Sequence, residues 1–554
     1  MSRFIKGTLP LYLLIGLVQG LSMLLALELK QPALGVAAAV LGINLQLLGE
    51  RWHQRVPLAW TVLLAATMAL ITEWVMHASA QSSLAFSWGV CALVIGYVAT
   101  AFIASAPARQ GWRVPYPALF RHAWNNAFIV LLAVVLSWLF WGLLMLCASL
   151  FEMIGIVALK DWINHRYVLL LVMPVVFSVG MRMGCENDKV IGLLRGILLS
   201  LCRFLAPLAA LIVVLFCLSL PFTGLASIWS TGYASRILLG LVAITLFLVN
   251  GVFQDGQQPA AYPCWLRQLI NLSLVCLPVL TALAGYSTWL RLDQYGLSPS
   301  RFFALLVVAF AALYSLAAMY AVLRSPQGWL GSLRWSNPWQ ALLVCVVLLL
   351  IHGPGLNPQA LSASNQLQRL LDGRTQPAEF DAAHMHRKLG KPGRETFEWL
   401  LTNLDRLAQF SAQDRELLRN RLEVERDYRK RDSLPVAAAN RVWIGTPVPG
   451  HEQFANPRLG LQSCNQHPCV LWPVDLDADG QAEVVLFSAD TSWLAFFQRL
   501  EDGNWERVGY LEGDYGPDDL PERVRQGKFR LVPPRYQGLE IDGHRFFPKE
   551  RFWP

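Results

Sequence analysis

Long apolar stretches alternate with short polar connections from the N-terminus onward. Eleven of them approach the roughly 20 residues that a helix needs to cross about 30 Å of hydrocarbon. They cover Leu9–Leu27, Pro32–Leu48, Pro57–His77, Leu84–Ala106, Ala127–Leu150, Tyr167–Met183, Phe204–Phe222, Ile237–Phe253, Leu269–Leu290, Phe302–Leu323 and Pro338–Leu356. The second carries Asn44 and Gln46, and the last is interrupted by Gly353 and Pro354. Between the sixth and seventh, residues 187–204 mix apolar side chains with Lys189, Arg195 and Arg203. That mixture suits either a helix lying in the inner interface or a long seventh helix that protrudes from the bilayer.

After Leu356 the pattern changes. Residues 357–372 and 393–431 are helical in character, the second with Leu400, Leu404, Leu407, Leu418 and Leu422 at spacings near three and four, and Pro435 ends it. Short alternating runs bounded by Gly, Pro and Asp then predict strands, with Asp502-Gly503 as a hairpin turn. The pattern predicts an α-helical polytopic membrane protein of about 11 transmembrane helices with a C-terminal extracytoplasmic α+β domain. Its parts are a helical bundle over 1–356, a helical neck over 357–434 and a small β-rich module over 435–554.

Composition agrees with the split. Charged residues make up only 15% of 554, against about 25% in soluble domains. Through His352 there are 20 Lys or Arg against 9 Asp or Glu, and the remainder carries 26 against 29. A nucleic-acid surface needs its cations gathered on one folded patch. Here they are spread over short connections, which argues against nucleic acid as a partner and for the lipid bilayer.

Orientation follows from the retention of Lys and Arg in short cytoplasmic loops. With the N-terminus inside, the inner connections hold 14 cations, from Arg3 to Arg334, and the outer ones hold 6: Lys30, Lys160, Arg166, Arg236, Arg291 and Arg301. The basic start and apolar run at the N-terminus resemble a signal peptide, but no small-residue cleavage site follows before Glu28. It reads as a retained first span. An odd number of crossings then puts the C-terminal domain outside.

The most specific motif is Asp475-Leu-Asp477-Ala-Asp479-Gly480-Gln481-Ala-Glu483. Alternate Asp side chains converge on one cation, Gly480 permits a sharp turn, the Gln481 carbonyl adds an oxygen and Glu483 closes the shell; ligation by oxygen alone suits calcium in a structural role. Leu486 stands where an EF-hand has its bidentate Glu, so the loop looks more like the shorter ones of integrin-type propeller repeats. The competing reading is an acidic hairpin turn. Cys464 and Cys469 are five positions apart, a spacing that allows a disulfide in an oxidising compartment, free thiols, or a thiolate metal site with His467. The other eight cysteines lie in or beside apolar stretches, where cysteine is usually a small buried hydrophobe.

Asn250, Asp255 and Asp293 are candidates for an intramembrane polar site, because ionisable groups at membrane depth are costly. Asp255 and Asp293, like Glu28, Glu50, Glu73 and Glu152, fall near span ends, where headgroup water relieves that cost. Buried amides such as Asn44, Gln46 and Asn271 suit bonding between helices. No phosphate-binding Gly loop, nucleophile elbow or His-Glu-x-x-His signature is present, so no catalytic residue is assigned.

The runs LSWLFWGLLMLCASLFEMIGI, RFLAPLAALIVVLFCLSLPFTGLASIW, LFLVNGVFQDG, WLRLDQYGLSPSRFFALL and DLDADGQAEVVLF, in that order, resemble the bacterial multi-spanning proteins grouped as domain-of-unknown-function 4153. The resemblance implies a protein of a Gram-negative inner membrane and carries over no catalytic residue. Taken together, these features lead to the expectation of a non-enzymatic inner-membrane anchor for a calcium-stabilised periplasmic module, serving recognition, sensing or envelope assembly, with an envelope protein or glycan as partner. The alternatives are a transporter of a small solute or lipid and a lipid-linked glycosyl or phosphoryl transferase. The first expects inverted repeats. The second expects an acidic pair in a sizeable first outer loop, which here is little more than Glu28-Leu-Lys30-Gln.

Overall fold

The computed structural model describes residues 5–78, 83–106, 114–156, 158–224, 233–257, 262–324, 328–426, 440–456, 469–487, 494–500, 502–511, 520–528, 539–541 and 544–546, with single positions 459, 461, 464 and 530. The chain divides into two compact units, Met1–Gln409 and Phe410–Pro554.

The first unit is helical: α1 (Ile5–Glu28), α2 (Pro32–Leu48), α3 (Arg55–Ala78), α4 (Ser83–Ser105), α5 (Tyr116–Met153), α6 (Ala158–Asn164), α7 (Arg166–Glu186), α8 (Asp188–Thr223), α9 (Ala234–Phe253), α10 (Cys264–Tyr295), α11 (Pro299–Leu323), α12 (Leu333–His352), α13 (Pro358–Leu371) and α14 (Gly390–Asn403). Among the described residues, 10 helices are long and apolar enough to cross a membrane. The eleventh expected span, α2, is a helix of 17 residues, about 25 Å long at 1.5 Å per residue.

Of the two readings of residues 187–204 the structure has the long helix: α8 runs unbroken for 36 residues, about 54 Å. The last span starts at Leu333, so Pro338 lies inside it rather than in its first turn, and it stops at His352. Gly353, Pro354 and Gly355 follow, a sequence that cannot continue a helix.

Close approach of backbones organises the first half. Gly16 and Gly20 of α1 face α7: a Cβ on Gly16 would lie 2.8 Å from the Pro174 carbonyl oxygen, and one on Gly20 would lie 2.8 Å from that of Leu170. Gly180 and Gly184 of α7 face α5, where a Cβ would meet Ala133 Cα at 2.6 Å and Ile129 Cγ2 at 2.9 Å. Both pairs have the small-xxx-small spacing that lets membrane helices touch. In the second half α10 supplies a buried stripe, Ile270, Leu274, Leu277, Leu280 and Ala284, packed with Val213, Val242, Val249 and Ala318 of its neighbours.

Pro207 inside α8 has no N–H to give the Arg203 carbonyl. The Tyr262 hydroxyl donates to that oxygen at 2.6 Å.

The second unit holds α15 (Ala412–Arg426) and a five-stranded sheet in the order β1 (Arg441–Trp443), β2 (Cys469–Val474), β3 (Glu483–Phe487), β4 (Leu494–Arg499) and β5 (Trp505–Leu511). β1 runs parallel to β2, and the remaining neighbours are antiparallel. A short helix, α16 (Leu520–Arg525), and a separate pair, β6 (Leu539–Ile541) with β7 (His544–Phe546), follow. All five residues of β3 are buried, because the sheet has apolar side chains on both faces. Phe454, Leu471, Leu486 and Phe497 lie in one cluster, and Val485 and Phe487, with Trp472 and Phe496 packed against them, lie in the other. Asp502 and Gly503 form the β4–β5 hairpin, with Gly503 at φ +84°. One of the short alternating runs read as strands, KFRLVPP at 528–534, lies mostly outside the described residues.

Two stability experiments follow. Tyr262→Phe is expected to cost about 1 kcal/mol of thermal stability in detergent, and to cost much less in a Pro207→Ala background, where the restored N–H takes up the Arg203 carbonyl; equal costs in both backgrounds would contradict this pairing. Gly180→Ala is expected to lose about 1–3 kcal/mol by forcing α7 from α5, whereas Gly196→Ala, with nothing within 4 Å of its Cβ, is expected to lose nothing.

Candidate metal centre

β2 and β3 pair antiparallel with Val474 opposite Glu483, so residues 475–482 form the connecting loop. Ala478 at φ +61° and Gly480 at φ +86° turn it twice. Its acidic side chains fold back on its own backbone. Asp475 Oδ2 accepts from Gly480 N at 3.1 Å, Asp477 Oδ1 from Asp479 N at 3.2 Å, Asp479 Oδ1 from Gln481 N at 2.7 Å and Glu483 Oε2 from Leu476 N at 2.8 Å. The consequence is a cluster: Asp475, Asp477 and Glu483 each offer one carboxylate oxygen, all within 4.8 Å of one another. Asp479 is not in that group: like Gln481 it is exposed, and its carboxylate is turned to the Gln481 N–H.

The geometry fits a hard cation. Two oxygens on opposite sides of a calcium ion, each at 2.3–2.6 Å, stand about 5 Å apart, so three oxygens within 4.8 Å can share one coordination shell. Asp475 Oδ1 is buried and has no hydrogen-bond partner, a costly state for a carboxylate oxygen. Glu483 is 4% exposed. Burial pushes its carboxyl above the ordinary carboxylate range, and the Asp477 and Asp479 charges push the same way, while the Leu476 N–H pulls it back.

Cys464 and Cys469 are joined by a disulfide with Cα atoms 5.2 Å apart. Both are fully buried in the cluster that holds Phe454 and Leu471, so the bond anchors the start of β2, the strand that leads into the acidic loop. His467 lies outside the described residues.

The structure does not bring the three candidate membrane residues together. Asn250 lies one turn from the end of α9, where its Oδ1 accepts from Asn337 Nδ2 at 2.7 Å. Asp255, just past that helix, accepts from the Gln257 N–H at 3.0 Å. Asp293 is exposed at the far end of α10, 29 residues from its start, about 43 Å along the axis. The partners of Asn250 come from distant positions that no local spacing marks: Asn337 on α12 also donates to the Tyr116 hydroxyl of α5 at 3.2 Å. A second buried network joins three helices, with Gln46 Nε2 donating to Ser178 Oγ at 2.6 Å and to Gln19 Oε1 at 3.3 Å. A third ties α12 to α4. His352, fully buried, has Nδ1 2.9 Å from the Leu348 carbonyl and Nε2 3.1 Å from Ser87 Oγ. A carbonyl only accepts, so Nδ1 carries the proton.

A family model described as "Domain of unknown function (DUF4153)" matches residues 34–396. No similar curated protein and no similar solved structure is found. The matched segment covers well over half of the chain, and the chain belongs to this family.

The raised Glu483 carboxyl sets a sign. A carboxyl held above its unfolded value binds its proton more tightly when folded, so its contribution is complete below the unfolded value and is lost as pH rises through the folded one. In chelator, protection of the β3 amides from hydrogen exchange is expected to fall as pH climbs from the carboxylate range toward neutrality. Glu483→Gln, never charged, should lose that fall; a variant with the wild-type pH dependence would show that Glu483 is not its source.

Proposed function

We propose that this member of the family is a bacterial inner-membrane protein with no reaction of its own, whose helical bundle holds a calcium-stabilised periplasmic module for recognition, sensing or envelope assembly. The observation that carries this reading is the cluster of Asp475, Asp477 and Glu483 oxygens within 4.8 Å, beside the unbonded and buried Asp475 Oδ1. Three carboxylates so placed repel one another until a divalent cation lies among them. Asp475, Asp477 and Glu483 hold the ion in this proposal, with Asp479 and Gln481 flanking it.

Sidedness rests on the parity of crossings, and α2 decides it. Three residues, Leu29–Gln31, join α1 to α2, and six residues, Gly49–Gln54, join α2 to α3. α2 packs extensively on both neighbours, and short connections between packed helices make them antiparallel. Its 17 residues stand at the lower limit of spanning length. Counting it as a crossing gives an odd total, and the charge asymmetry of the connections then sets the N-terminus inside and the second unit outside. A disulfide at Cys464–Cys469 and millimolar calcium both belong to such a compartment.

Calcium titration of the full-length protein tests the ion. At about 100 times the dissociation constant, calcium is expected to stabilise the second unit by about 2.7 kcal/mol, and Asp477→Ala is expected to remove most of that gain. Equal stability of wild type in calcium and in chelator would overturn the calcium reading. A reporter fused after Pro554 that is active only in the periplasm is expected to work, and a bright cytoplasm-only reporter at the same position would overturn the sidedness.

A further inference from the structure

His352 is the last residue of α12, and residues of three other helices surround it. Its ring centroid stands 5.4 Å from that of Trp88 on α4 and 6.0 Å from that of Phe303 on α11. Trp88 is itself held by α3, where Thr72 Oγ1 accepts from its Nε1 at 2.9 Å. The imidazole is fully buried, yet its partner Ser87 is only half-buried. The ring is thus shut from water but bonded to a residue that water reaches.

The hydrogen bonds around the ring have two complete arrangements. With Nδ1–H given to the Leu348 carbonyl at 2.9 Å, neutral His352 accepts at Nε2 from the Ser87 hydroxyl at 3.1 Å. That hydroxyl also stands 2.9 Å from the Leu84 carbonyl. A proton taken from solvent at Nε2 reverses the first bond: Nε2–H donates to Ser87 Oγ, and the hydroxyl turns to Leu84. No heavy atom has to move, because all three distances are already those of hydrogen bonds, and every donor keeps an acceptor in both states. Both bonds of the imidazolium are charge-assisted, the stronger kind. Trp88 and Phe303 lie at the roughly 6 Å reach of a cation–π contact.

Among the described residues no charged side chain acts on the ring. The ionisable groups that share its cluster are two thiols, Cys91 of α4 and Cys345 of α12. On α3, Glu73 and His77 stand 3.3 Å apart and bind each other. On α11, Arg301 Nη1 is taken by the Tyr295 and Gly296 carbonyls at 3.0 and 2.8 Å. Arg334 lies 18 residues before His352 on α12, about 27 Å along the axis.

We propose that His352 is a proton-binding site of the bundle, where uptake of a proton reverses the Ser87 bond and strengthens the hold of α12 on α4. The site depends neither on the calcium loop nor on which side of the membrane the second unit occupies.

Thermal unfolding of the full-length protein in detergent tests this at neutrality and at the lowest pH at which wild type stays folded. Ser87→Ala removes the acceptor of the imidazolium Nε2–H. A hydrogen bond to a charged group contributes about twice as much as one between neutral groups, so Ser87→Ala is expected to lower the melting temperature about twice as far at the acid pH. Ser87→Thr, which keeps the hydroxyl, is expected to show no extra loss there. In a His352→Gln background, which takes up no proton, Ser87→Ala is expected to have equal effects at both pH values. Equal effects in the wild-type background would show that His352 stays neutral and would overturn the proposal. So would an unequal effect that survives His352→Gln, since another group would then be titrating.

Discussion

No water reaches the hydrocarbon core, so every backbone carbonyl released there must find a partner within the protein. The arrangement of the bundle follows from where those partners are. Pro174 in α7 leaves the Leu170 carbonyl without its helical donor, and α1 lays the bare backbone of Gly20 against that oxygen, where a Cβ would stand at 2.8 Å. Pro207 in α8 leaves the Arg203 carbonyl free, and the Tyr262 hydroxyl takes it at 2.6 Å. The Arg203 carbonyl gains a donor from the segment before α10, whereas the Leu170 carbonyl meets the close-packed backbone of Gly20. Each answer fixes which helix lies beside which.

The glycine contacts extend the same logic. Apolar side chains gain nothing by leaving lipid for one another, so association rests on close packing and on polar contacts that lipid cannot offer. Gly16 and Gly20 bring α1 to α7, Gly180 and Gly184 bring α7 to α5, and the Gln46 amide adds bonds to Ser178 and Gln19 inside the same packed group. Gly192 and Gly196 have the same spacing, but among the described residues no neighbouring helix comes within 4 Å of a Cβ at either. Identical glycine spacing therefore has different outcomes, and what separates them is whether a neighbouring helix is present on that face.

That difference marks the limit of what the sequence discloses. Apolar runs located the membrane helices, because length and hydropathy are local properties, but α5 starts at Tyr116 and α8 at Asp188, well before the expected Ala127 and Phe204. The acidic loop was visible as alternate Asp residues, yet only three of its four carboxylates converge, since Asp479 is drawn to the Gln481 N–H. The grouping of Asn250, Asp255 and Asp293 had no local basis. Asn250 meets Asn337, 87 positions away, and Asp293 lies at the opposite end of a long helix. Tyr262 was equally invisible: its partner is a carbonyl 59 positions earlier, freed by a proline whose effect depends on what stands opposite.

α2 joins the buried chemistry to the sidedness of the whole protein. It is the shortest of the eleven apolar helices, and its Asn44 and Gln46 made it, with the last, one of the two weakest of the expected spans. The structure gives these side chains protein surroundings instead of lipid: Asn44 is 2% and Gln46 0% exposed, Asn44 Nδ2 donates to the Val40 carbonyl, and Gln46 Nε2 donates to Ser178 and Gln19. The bonded amide N–H groups of these side chains no longer carry the full cost of transfer into hydrocarbon, although Asn44 Oδ1 and Gln46 Oε1 have no partner. The hydropathy of α2 read residue by residue therefore understates its fitness to cross. With its amides enclosed by α1 and α7, the helix needs only length, and tight connections at both ends hold it between two neighbours that span. The same buried amides that weakened the case for α2 in the sequence are the means by which a short helix is kept at membrane depth.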